Sequence, residues 1–125
     1  MRSYLQTRLT AMGHARRGLR HLLSTESHAR IHILATVIVF TAAAILGVSA
    51  TNWGLLLLAI GLVWTAEAFN TAVERIVDLC SPETNDLAGQ AKDVAAAGVM
   101  LAAMAATAVG LIVFVPAVLA FLRLR

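Results

Sequence analysis

Four polar residues, Glu67, Asn70, Glu74 and Asp78, recur at spacings of three and four along one stretch of the chain. At about 100° per residue they share a helical arc of roughly 80°. The row steps inward from Asp78, beside a polar connection, to Glu67, which directly follows a long uncharged run. A solvated helix end accounts for Asp78 and for Glu74, but not for Glu67. An ionisable group at membrane depth is costly and marks function by default.

Phosphoryl transfer to a lipid hydroxyl asks for a site of this form. The acceptor hydroxyl lies at the bilayer interface, and ATP arrives from water. A carboxylate at lipid depth, Glu67, can take the hydroxyl proton as general base. Carboxylates nearer water can hold Mg²⁺, which needs oxygen ligands and bridges phosphates. Lys92, the only lysine in the chain, supplies a cation on the same side. Its neighbour Asp93 reads equally as part of such a site and as the cap of the last helix. No phosphate-binding loop of the G-x-x-x-x-G-K-[ST] type is present, and no kinase-type glycine loop. His14, His21, His28 and His32 are too dispersed to read as zinc ligands and are expected at the bilayer interface.

The elements that must carry this row are helices. Residues 4–24 form an amphipathic pattern in which Leu5, Leu9, Met12, Leu19 and Leu23 fall within a roughly 80° arc. Such a helix lies on a bilayer surface, or else packs on its own protein. From Ile31 through Ala66 there is no Asp, Glu, Lys or Arg. This is too long for one crossing, which takes about 20 residues. A turn at Ser49-Ala50-Thr51-Asn52 divides it into spans near 31–49 and 53–79, with Trp53 placed as an interfacial aromatic. Ser81-Pro82 suggests a helix restart, with Ser81 as N-cap and Pro82 at the first helical position. Residues 80–93 form a polar connection, and a third span covers about 93–122, bent or ended by Pro116.

Composition agrees. The 125 residues are 59% hydrophobic and 14% charged. A soluble domain this small cannot hide that much apolar surface, so a soluble globular domain, a disordered chain and a disulfide scaffold are all excluded. The fold class is all-α: an integral membrane protein with a surface helix and three transmembrane helices, forming one domain over 1–125. The basic excess reads as topology rather than nucleic-acid binding. Arg2, Arg8, Arg16, Arg17, Arg20 and Arg30 precede the first span, and Arg75 and Lys92 lie on the same side. The positive-inside rule makes that side, with the N-terminus, cytoplasmic. No cleavable signal peptide is evident, and the single cysteine, Cys80, is uninformative about redox compartment.

The segment from Glu67 to Asp78 resembles the E-x-x-N-[ST]-A-[IV]-E-x-[IV]-[IV]-D signature of the prokaryotic diacylglycerol kinase family. These are small integral membrane lipid kinases that include undecaprenol kinases. Ala91-Lys92-Asp93 resembles the family's A-K-D, and Gly18-Leu19-Arg20 followed by Glu26 matches its G-[IL]-R and Glu spacing. The resemblance spans roughly residues 8–115. It implies a homotrimer in a bacterial inner membrane, with sites at subunit interfaces, ATP as phosphoryl donor and Mg²⁺ as cofactor. It implies Glu67 as the catalytic base and Glu26 and Glu74 as metal ligands. His14, Glu26, Glu74, Glu83, Asn85, Lys92 and Asp93 then form the ATP site. Arg30, Asn70, Asp78 and Ala96 join Glu67 as substrate-binding or supporting positions. Asn85 stands where the family usually has His, His14 where an aromatic is common, and Thr7 where an Arg is expected, with Arg8 next to it. Arg30-Ile31-His32 and Ser81-Pro82-Glu83 look closer to the undecaprenol kinase branch. Two other readings compete: a proton-coupled transporter using Glu67, and a non-catalytic membrane scaffold. Transporters place such sites near the midplane, whereas these acids descend from one edge.

Overall fold

The computed structural model describes residues 4–25, 27–83 and 85–123. It contains four helices: α1 (Tyr4–Thr25), α2 (Ser27–Ile45), α3 (Ala50–Cys80) and α4 (Asp86–Arg123). Helices α2, α3 and α4 are each long and apolar enough to cross a membrane. Large apolar side chains such as Leu58, Val94 and Ile112 stand exposed along them. Exposed apolar surface on this scale belongs against lipid or protein rather than water.

The boundary between α2 and α3 falls at residues 46–49 rather than at 49–52. Gly47 ends α2 in the left-handed region, with φ of 61°. The Val48 N–H bonds back to the Ala43 carbonyl at 3.2 Å and the Gly47 N–H to that of Ala44 at 3.3 Å. Those two bonds make a Schellman stop, which glycine permits because it lacks a Cβ. Ser49 then caps α3, its hydroxyl accepting from the Asn52 N–H at 3.3 Å. The segment 49–52 is therefore the cap and first turn of a helix, and the first span begins and ends earlier than its hydropathy indicates.

The α3–α4 connection also differs from the sequence expectation. Ser81 is the C-cap of α3, with its N–H on the Val77 carbonyl at 2.8 Å. Pro82 is not helical. The cap of α4 is Asn85, whose side-chain oxygen accepts from the N–H of Leu87 at 2.9 Å and of Ala88 at 3.4 Å. Asn caps as well as Ser does, and here its side chain meets two of the free amides. Helix α4 thus starts at Asp86, which places Asp93 two turns inside it and not at its cap. It also runs on through Pro116 to Arg123.

Helix α3 is the central element. Its buried residues, Leu56, Ala59, Val63, Glu67, Asn70 and Thr71, follow one stripe at three- and four-residue steps. At the end remote from Glu67, Leu56 packs with Ala43 and Val113, flanked by Val48, Trp53 and Phe114. Trp53 is half-buried there against Phe40, ring centroids 5.6 Å apart, so it serves the core as well as the helix start. The start of α2, the end of α3 and the start of α4 meet at the opposite end of the bundle. Helix α1 reaches that end through Leu22, which is buried, while Leu9, Met12 and Leu19 remain exposed.

Candidate active site

The α3 row sits where a gradient of burial would be built. Glu67 is 2% exposed, Asn70 8%, Glu74 is half-buried and Asp78 is exposed. Glu67 and Asn70 occupy the continuation of the apolar stripe from Leu56 to Val63, so the helix period itself turns them inward. By the 1.5 Å rise per residue, Glu74 stands about 10 Å along the axis from Glu67.

Each member of the row meets a different partner. Glu67 lies between two histidines of α2: Nδ1 of His28 is 3.8 Å from its Oε1, and Nε2 of His32 is 3.8 Å from its Oε2. Both separations exceed hydrogen-bond length. Among the described residues, Oε2 of Glu67 is buried without a hydrogen-bond partner, as are Oδ1 of Asn70 and Oγ1 of Thr71. The Asn70 amide donates to Oε1 of Glu74 at 3.0 Å. Asp78 accepts from the Lys92 ammonium of α4.

A cleft of about 600 Å³ opens beside this last pair, between the end of α3 and the start of α4. Asp78, Glu83, Asn85, Lys92 and Asp93 are among its lining residues. Four of the residues assigned above to ATP are thus brought together, and Glu74 lies outside that lining. His14 is on the exposed face of α1, where its Nδ1 accepts from Arg17 at 2.8 Å. Arg30 is exposed on α2 and Ala96 on α4. Glu26 lies outside the described residues. His28 and His32, expected at the bilayer interface, both face Glu67, His28 with its side chain still largely exposed. Their i, i+4 spacing, which puts both on one face of α2, was the available signal.

The donor set suits a hard cation. Among the described residues no group of three metal-ligating side chains gathers. Mg²⁺, however, is commonly held by one or two carboxylates together with phosphate and water. The Glu74 carboxylate, oriented by Asn70 through one oxygen, fits that role.

Comparison with known proteins decides the family. The prokaryotic diacylglycerol kinase model matches residues 13–114. The chain belongs to the prokaryotic diacylglycerol kinase family. It is a lipid kinase and a multi-pass membrane protein. It is 34% identical over 103 residues to the undecaprenol kinase of Bacillus subtilis, covering 82% of this chain and 84% of that protein. It is 37% identical over 115 residues to a Synechocystis diacylglycerol kinase, covering 91% of this chain and 66% of that one. With the Escherichia coli diacylglycerol kinase it shares 33% identity over 98 residues, covering 78% and 80%.

Proposed function

We propose that this kinase transfers the γ-phosphoryl group of ATP to the hydroxyl of a membrane lipid, undecaprenol or diacylglycerol. The observation that carries the reading is Glu67: a carboxylate 2% exposed on a helix of membrane-crossing length, with one oxygen unpartnered among the described residues. A lipid hydroxyl entering beside it meets a base already in place. The hydroxyl oxygen bonds to the γ-phosphorus, the bond from that phosphorus to the bridging oxygen breaks, ADP leaves, and the hydroxyl proton passes to Glu67. The cleft lined by Lys92, Asp93, Glu83 and Asn85 is the supporting candidate for the nucleotide, with the Lys92 ammonium exchanging Asp78 for phosphate.

Mg²⁺ would be held by Glu74 and Glu26, and would supply charge neutralisation of the phosphates. A homotrimer with sites between subunits, an inner-membrane location and a cytoplasmic N-terminus complete the proposal. Family membership supports the first. Orientation is supported by Arg75 and Lys92 standing at the same end of the bundle as the arginine-rich α1. Undecaprenol is favoured as acceptor by Arg30-Ile31-His32, and the first relative above carries that activity in its name.

The test is transfer from radiolabelled ATP to undecaprenol and diacylglycerol, offered side by side to the purified chain in lipid. Glu67→Gln should abolish transfer while nucleotide still binds. Turnover near that of the unmodified chain would remove Glu67 as the base. Vesicle uptake of a solute without ATP would support the transporter instead.

A further inference from the structure

Two polar contacts one helical turn apart run through His32. In the deeper one, the Trp64 indole N–H donates to the Thr36 hydroxyl at 3.3 Å, and that hydroxyl donates to the His32 carbonyl at 2.7 Å. In the shallower one, His32 Nε2 lies 3.8 Å from Glu67 Oε2. Trp64 also braces the imidazole directly, edge to face, with ring centroids 5.8 Å apart and planes at 62°. Both the backbone and the ring of His32 are therefore held from α3, by a residue one turn before Glu67.

That bracing matters because of what faces it. Glu67 Oε2 is buried and has no donor among the described residues. A buried carboxylate oxygen calls for one. His32 Nε2 stands about 1 Å beyond an ordinary hydrogen bond, so the bond forms only when the Glu67 side chain turns toward it. His28 is the same distance from the other oxygen, but its side chain is 72% exposed against 19% for His32. Only His32 is both shielded from water and fixed by a second element.

We infer that His32 is a positioning residue for the phosphoryl transfer, its Nε2–H holding Oε2 of Glu67 so that the other oxygen, Oε1, presents a fixed lone pair to the lipid hydroxyl. The inference rests on Glu67 being the general base. Its logic is orientation: a base must stand within hydrogen-bond reach of its proton, and misplacement by about an ångström can cost on the order of 100-fold in rate. The Thr36–Trp64 link adds depth control, because it sets where α2 stands against α3 along the membrane normal.

The experiment uses the full-length chain in lipid bilayers, with kcat and KM measured for both ATP and lipid, and nucleotide binding measured separately. His32→Phe keeps a ring against Trp64 and removes the N–H. His32→Gln restores an N–H close to the Nε2 position. His32→Phe should lower kcat by about 10- to 100-fold, with both KM values within about twofold of the unmodified chain. His32→Gln should recover most of the loss. Combining His32→Phe with Glu67→Gln should cost no more than Glu67→Gln alone, since the two residues act as one unit. An unchanged kcat in His32→Phe overturns the inference. So does an equal loss in the Gln variant, or a loss confined to the KM for ATP. If Glu67→Gln is inactive while His32→Phe is normal, only this inference falls; if Glu67→Gln turns over normally, the base assignment falls as well.

Discussion

Lys92, in the second turn of α4, donates to the carboxylate of Asp78, fourteen residues earlier on α3. The pair joins the last two helices beside the cleft. Their side chains are 38% and 66% exposed, so water screens the contact. Pairs of this kind contribute about 0–1 kcal/mol to stability. If the ammonium instead meets phosphate when nucleotide binds, its removal should be felt in binding. Lys92→Met is expected to raise the KM for ATP about tenfold or more, the scale of one charge-assisted hydrogen bond. Thermal unfolding should shift little. Steady-state kinetics beside an unfolding curve checks both, and an unchanged KM would remove Lys92 from the nucleotide site.

Asn70 and Glu74 test the metal assignment. The Asn70 amide restrains one oxygen of Glu74 at 3.0 Å. Groups that orient a ligand commonly matter about 10-fold or more in metal affinity. Asn70→Ala should therefore raise the Mg²⁺ concentration for half-maximal activity roughly 10-fold. At saturating Mg²⁺ the rate should largely return. A magnesium titration that superimposes on that of the unmodified chain would dissociate Glu74 from the metal.

Asn85 gives a prediction about folding and nucleotide binding together. It caps α4 through the amides of Leu87 and Ala88. Asn85→Ala should cost about 1 kcal/mol. Amide exchange at Leu87 and Ala88 should speed up while exchange in the middle of α4 does not. Because Asn85 also lines the cleft, a rise in the KM for ATP is expected alongside.

Gly47 is the corresponding test at the other end of the bundle. Its φ of 61° favours glycine, and nothing lies within 4 Å of where a Cβ would stand. The cost of Gly47→Ala is then conformational rather than steric, about 1 kcal/mol. Thermal unfolding in a fixed detergent should report it, with ATP binding unaltered. A variant as stable as the parent would mean that the turn relaxes out of the left-handed region.

Much of the architecture was legible in the chain. Two long runs without charge, the first divided by a turn, announce three membrane-length helices, because the hydrocarbon layer excludes charge along any segment that crosses it. The row from Glu67 to Asp78 was legible too, since helical period alone places those four residues together. Its gradient of burial follows from their order along α3. Helix ends were less legible. Ser81-Pro82 has the composition of a helix start, yet the free amides of α4 lie next to Asn85, and only a formed helix shows which amides are left to cap. At the α2–α3 turn, Gly47 was the relevant signal, and the more polar Ser-Ala-Thr-Asn run beside it masked it.

The sequence by itself determined the class of protein, the number of long helices and the inward-facing acids, because hydropathy and the 3.6-residue period are local properties. Tertiary structure alone decided what those acids meet. His28 and His32 reach Glu67, Trp64 reaches Thr36, and Lys92 reaches Asp78 across helix pairs. Each meeting depends on how far one helix is shifted and rotated against the next. That offset is set by packing between segments distant in the chain, and no local spacing encodes it.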